Sequence, residues 1–189
     1  SAETLLSLVD GKIVSKLQLP GEPAAVAISN DATFALVSIP RSRQLVFVDV
    51  AADGALSVSG DLLTLPQPPY AVGISEDNKS FAVGENTAVT VFDTASRSRT
   101  LEGYFVHSGK VTAINFQPGS EVIMSASSDG LLKFWKPSDK KFKSSVEAHH
   151  LGVIAAKFID ADTIASIGAD RCVRVFSAGA AEGGETKEE

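Results

Sequence analysis

Three residue types used in acyl-transfer chemistry fall in order along one short stretch: His107, Ser125 and Asp129. A serine activated by histidine, with a carboxylate orienting the ring, is the arrangement that attacks esters and amides. A second set, His149, Ser166 and Asp170, follows at a similar spacing. No Gly-x-Ser-x-Gly turn presents either serine as a nucleophile. Other candidate chemistries are thinner. His149 and His150 could be a metal pair, but neighbours on a strand point to opposite faces. No cysteine or carboxylate cluster flanks them at ligand spacing. Gly183-Gly184 has no strand before it and no helix after it, so it is no phosphate loop. Cys172 opens an apolar run and is expected to be a buried, inert thiol. We therefore expect no catalytic residue, no metal and no cofactor.

The elements that carry the two trios supply another use for them. The run from His107 to Trp135 is followed at once by a weaker copy in which Phe176 stands where Trp135 stood. Equivalent positions fall at 9, 48, 92, 135 and 176, which gives steps of 39, 44, 43 and 41 residues. A period near 40–45 residues with an ordered His, Ser, Asp and Trp is the signature of a WD-repeat β-propeller. In such a blade the Asp accepts from the His ring, the His meets the Ser hydroxyl, and the Ser meets the Trp indole. Phe176 has no N–H to donate, so the second network (His149, Ser166, Asp170) is expected to be one bond shorter.

Short, β-branched apolar runs between turn signals predict an all-β fold. Three runs recur in each round: Val26–Ile28, Phe34–Val37 and Leu45–Val48, then Val72–Ile74, Phe81–Val83 and Val89–Phe92. Val111–Phe116, Val122–Ala126 and Leu131–Trp135 form the third round; Val153–Phe158, Thr163–Ile167 and Cys172–Phe176 form the fourth. A more polar fourth strand separates rounds: Leu56–Leu65, Arg99–Val106 and Lys141–Ala148. Such a strand suits the solvent-facing edge of a four-stranded antiparallel blade. Thr4–Val9 and Lys12–Leu19, split by Asp10-Gly11, read as the last two strands of a preceding blade. Residues 1–178 thus predict about four blades of a larger ring, and 179–189 an acidic disordered tail. A seven-bladed ring would need about 290 residues at this repeat length. The remaining blades, or self-association, are expected to cover the ends.

Composition is ordinary for a globular chain, with 44% hydrophobic and 21% charged residues. No run of about 18 apolar residues predicts a membrane span. The net charge of −6 gives no electrostatic footprint for nucleic acid. Residues 1–20 show no basic-then-apolar leader, and one cysteine cannot close an internal disulfide, which suits a reducing cytosol or nucleus; a cytoplasmic setting is expected. Arg41, Arg43 and Arg171 fall in turns between second and third strands. Tyr70 and Lys110 precede first strands, on the same face of the propeller. These five are the candidate partner-binding residues. Lys133, Lys136, Lys140, Lys141 and Lys143 read as a solvated edge.

The segment Glu147–Phe176 (EAHHLGVIAAKFIDADTIASIGADRCVRVF) resembles the closing repeat of the actin-interacting protein 1 family. Phe105-Val106-His107 with the following SGKVTAINF is similar to that family's penultimate repeat. The two rounds without histidine, Pro20–Leu65 and Pro66–Arg99, match the two before in length and order. The chain thus resembles the last four repeats of the second of two linked seven-bladed propellers. Phe176 in place of the final Trp and the acidic tail depart from the pattern. The resemblance implies actin and cofilin as protein partners, in filament disassembly at the cytoskeleton, without enzymatic activity. A generic repeat fits equally a scaffold in another complex, such as a ligase adaptor or a ribosome- or RNA-processing assembly.

Overall fold

Alternating β-branched residues and tight turns build every element. A computed structural model describes residues 4–139 and 141–178; the expected acidic tail, 179–189, lies outside the described residues. A hairpin comes first, β1 (Thr4–Val9) and β2 (Lys12–Gln18). Its turn, Asp10-Gly11, has φ of +51° and +74°, the left-handed pair that a two-residue hairpin needs. The first blade comprises β3 (Ala25–Ile28), β4 (Phe34–Ile39), β5 (Gln44–Val50), β6 (Leu56–Val58) and β7 (Leu63–Thr64). The second comprises β8 (Pro69–Ile74), β9 (Ser80–Glu85), β10 (Ala88–Asp93) and β11 (Arg99–Val106). The third comprises β12 (Val111–Phe116), β13 (Ile123–Ser127), β14 (Leu131–Lys136) and β15 (Lys141–Glu147). The last has three strands among the described residues, β16 (Val153–Phe158), β17 (Thr163–Gly168) and β18 (Val173–Ser177). Each sheet is a meander of antiparallel neighbours in chain order.

Three of the four turns between first and second strands are locked alike. Asp31 Oδ1 accepts from the Thr33 amide, Asp77 Oδ1 from the Lys79 amide and Asp160 Oδ1 from the Asp162 amide. A short carboxylate that bonds the backbone two residues on fixes such a turn. The outer strand of the first blade departs from the expected Leu56–Leu65 run. It is split in two, both parts pairing with β5, because Gly60 (φ +69°) turns the chain away from the sheet. The carbonyls of Ser59 and Asp61 then accept from the Arg97 guanidinium of the next blade, at 2.9 and 3.2 Å.

The core lies between sheets. Leu36, Leu45, Phe47 and Leu65 of the first blade pack against Val72, Phe81, Val83 and Phe92 of the second. Val91 and Ala82 meet Val111, Ile114, Ile123 and Trp135 of the third. Met124, Ala126, Leu132 and Phe134 meet Val153, Ala156, Phe158 and Ile164 of the last. Leu5 and Leu17 of the hairpin cover Val37, Val46 and Val48 of the first blade, as the outer half of a preceding blade would. Polar side chains stitch the last two blades at the repeat spacing. Thr112, Asn115 and Gln117 donate to the carbonyls of Val153, Ala156 and Ala161 at 2.8–2.9 Å.

The four clusters join consecutive sheets, and none includes residues of both the hairpin and the last blade. Both ends of the arc are apolar and uncovered. Ile167, Val173 and Val175 are 42, 72 and 62% exposed at one end, and Val26 and Ile28 are 52 and 63% exposed at the other. By register, Ile167, Val173 and Val175 match Ala126, Leu132 and Phe134 of the third blade, which are at most 2% exposed. A face that is core in one blade is surface in the next.

Candidate interaction surface

The histidine networks fix the upper ends of two blades, the ends that carry the loops before first strands. His107 precedes β12, Ser125 lies mid-β13, Asp129 sits in the β13–β14 turn and Trp135 on β14. Ser125 Oγ is 2.8 Å from Trp135 Nε1 and 2.8 Å from His107 Nε2, and His107 Nδ1 is 2.9 Å from Asp129 Oδ2. The indole can only donate, so the serine oxygen accepts from it and turns its own proton to Nε2. That leaves Nδ1–H to donate to Asp129. Burial holds the His107 imidazole below its usual pKa, against the opposing pull of Asp129. Burial pushes the Asp129 carboxyl up, but the Leu131 amide, His107 and the Ser108 amide together outweigh it and keep it ionised. Ser125 has no accessible surface and His107 is 2% exposed. A serine whose oxygen is saturated and shielded offers no nucleophile to a substrate.

The second network differs from expectation. His149 Nε2 is 2.8 Å from Ser166 Oγ and Nδ1 is 2.8 Å from Asp170 Oδ1. Phe176 adds no bond, but Arg174 does, with Nη1 2.7 Å from Asp170 Oδ2 and 2.6 Å from His149 Nδ1. A guanidinium only donates, so the ring nitrogen either accepts from Arg174 or donates to Asp170. Burial opposes the Asp170 charge, yet Arg174, His149 and the Cys172 amide together hold its carboxyl well below the usual range. The sequence signal for Arg174 was its register: it pairs with Ser166 as Lys133 pairs with Ser125.

Cys172 is exposed, contrary to the sequence expectation. It stands in the turn just before β18, where its amide donates to Asp170 Oδ1 at 3.2 Å. His150 is exposed in a turn while His149 is buried, although both rings approach Asp170, His150 Nδ1 lying 3.4 Å from its Oδ2. Among the described residues no three His, Cys, Asp or Glu side chains converge to hold a metal. No described helix is long and apolar enough to cross a membrane.

The five candidate partner-binding residues lie on the face that carries the loops before first strands. Lys110 Nζ sits 4.6 Å from the centroid of the Tyr70 ring, a cation–π contact between adjacent blades. Arg41 and Arg43 share a groove with Tyr70, Pro23, Pro40 and Pro68. Arg43 has φ +56° in its turn and donates to the Pro66 carbonyl at 3.2 Å. Tyr70 and Lys110 also line a second groove, with Leu151, Gly152 and Ile154. Arg171, exposed and with φ +64°, stands in the last β17–β18 turn on the same face but lines neither groove. Leu151 and Ile154, 62 and 55% exposed, were not singled out from sequence. An apolar residue at the start of a strand reads as core until the neighbouring loops are placed.

Four-stranded meanders, a 41–44-residue stagger and the Asp–His–Ser–Trp chain of bonds describe one architecture. Residues 96–136 match the WD domain, G-beta repeat family. The fold is that of a WD-repeat β-propeller. The solved structure of U3-55K superposes on this chain with a TM-score of 0.72 at 14% identity, covering 85% of this chain and 53% of that one. That likeness concerns the fold. Actin-interacting protein 1-2 of Arabidopsis thaliana is 29% identical over 185 residues, 90% of this chain and 28% of that protein. Ribosome biogenesis protein YTM1 of Podospora anserina is 44% identical over 72 residues, 36% of this chain and 15% of that protein. The chain spans 28% of the length of the relatives that match it along most of its own sequence.

Proposed function

We propose that the chain is a non-enzymatic protein-interaction propeller that binds actin and acts with cofilin in filament disassembly, in the cytoplasm. The observation that carries this reading is the collinear similarity to actin-interacting protein 1-2 along 90% of the chain. Similarity spread over successive blades reflects the order of whole repeats, whereas a match confined to one or two blades reflects the repeat pattern itself. In this reading the two His–Ser–Asp trios are internal braces, and partners meet the face bearing Arg41, Arg43, Tyr70, Lys110 and Arg171. Co-sedimentation of the chain with actin filaments, with and without cofilin, tests it. Cofilin-dependent co-pelleting and a rise in unsedimented actin are expected; pelleting indifferent to cofilin sinks the reading.

The second reading is a scaffold subunit of a ribosome-assembly complex. It is favoured by the higher identity, 44%, of the shorter match to ribosome biogenesis protein YTM1. Recovery of a tagged chain with pre-ribosomal particles and without actin would select it.

A further inference from the structure

We infer that the upper face of the arc is a continuous trough that takes an acidic segment bearing a large apolar side chain. This rests on the reading of the chain as an interaction propeller and names the chemistry of the partner at that face. Two grooves meet there, one bounded by Arg41 and Arg43, the other by Lys110, Leu151 and Ile154. Ala24 and Tyr70 line both, so the grooves form one path across the first to the last blade. Leu151 and Ile154 leave more than half their surface in water, a cost recovered when an apolar residue seats against them.

Charge decides the class of the occupant. The chain carries a net charge of −6, yet the cations Arg41, Arg43 and Lys110 line this trough against the single carboxylate of Glu22. None of the three is in a salt bridge with a carboxylate among the described residues. Of the remaining carboxylates near this face, all but Glu147, exposed at the end of β15, are occupied or covered. Asp129 and Asp170 are bonded to their histidines, and Glu85 is buried, with Oε2 3.4 Å from the Gln67 amide. The opposite face is acidic by contrast, with Asp31, Glu76, Asp77, Asp160 and Asp162 in its turns. A partner approaching with negative charge is steered to one face only. Arg43 is held by the Pro66 carbonyl and Lys110 by the Tyr70 ring, so part of the ordering cost is met before binding.

The test is selection of a phage-displayed random twelve-residue peptide library on the immobilised chain. Enriched peptides should be net acidic with at least one Leu, Ile, Phe or Trp. Their binding should weaken about tenfold with Arg41→Glu or Lys110→Glu, both exposed positions, and fall as salt rises. Lys79→Glu, on the opposite face, should change it less than twofold. No enrichment, enrichment without acidic bias, or affinities unmoved by both upper-face reversals would overturn the inference. Actin co-sedimentation on the same preparations separates the two claims. Actin pelleting with a failed selection removes the trough alone; a successful selection without actin pelleting removes actin alone.

Discussion

Ser125 Oγ accepts from Trp135 Nε1 and also satisfies His107 Nε2, both at 2.8 Å. Ser125→Ala removes one oxygen and orphans two polar groups in residues that are 3 and 2% exposed. An unpaired buried group costs about 1–3 kcal/mol, so the substitution should destabilise the protein by about 3 kcal/mol. Ser166→Ala is the internal control. It orphans only His149 Nε2, since Phe176 asks nothing of that serine, and should cost about 1–2 kcal/mol. Urea denaturation followed by circular dichroism measures both, and the single tryptophan reports the third blade separately. Trp135→Phe should cost about 1 kcal/mol alone, and less in the Ser125→Ala background, where the orphaned N–H is already unpaired. Ser166→Ala matching or exceeding Ser125→Ala, or a Trp135→Phe cost that adds in full, would refute the bonding scheme.

Three further outcomes follow from the same geometry. Because burial lowers the folded-state pKa of His107 from 6.5, the unfolded chain binds a proton that the folded blade refuses. Its contribution is complete above pH about 6.5 and is lost as pH falls towards the folded value, at up to about 1.4 kcal/mol per pH unit. His107→Gln should flatten the stability profile between pH 7 and 5, and equal slopes in the two proteins would contradict this. Val173 and Val175 are 72 and 62% exposed on the open end, so the chain should self-associate, and the double substitution to Lys should return it to monomer mass by light scattering. A monomeric parent chain would count against the uncovered end as a contact. Arg97 lies 4.0 Å from the Phe47 ring centroid and donates to Ser59 and Asp61. Arg97→Ala should therefore cost about 1–2 kcal/mol and loosen the β6–β7 region to hydrogen exchange, whereas unchanged exchange there would discount the clamp.

Repeat spacing made most of the fold legible. A 41-residue step from Trp135 to Phe176 sets two chain segments in equivalent places, and alternation within each gives the strands. The Asp–His–Ser–Trp bonds were legible for the same reason, since each member has a fixed address in the repeat. Arg174 and Cys172 were not. Each depends on how the β17–β18 turn folds: Arg174 reaches back to Asp170 in that turn, and Cys172 stands exposed in it rather than inside the strand.

The sequence by itself determined the blade: its strand order, its turns and the polar chain within it. Those features are local, set by side-chain period and by short-range bonds. The tertiary structure decided which apolar faces became core and which remained surface. Leu132 and Val173 occupy the same register in neighbouring blades, yet one is 0% and the other 72% exposed. It also decided that Tyr70, Lys110, Leu151 and Ile154, far apart along the chain, line one groove. Proximity between blades depends on how the sheets stack, and no residue pattern within a single repeat encodes that.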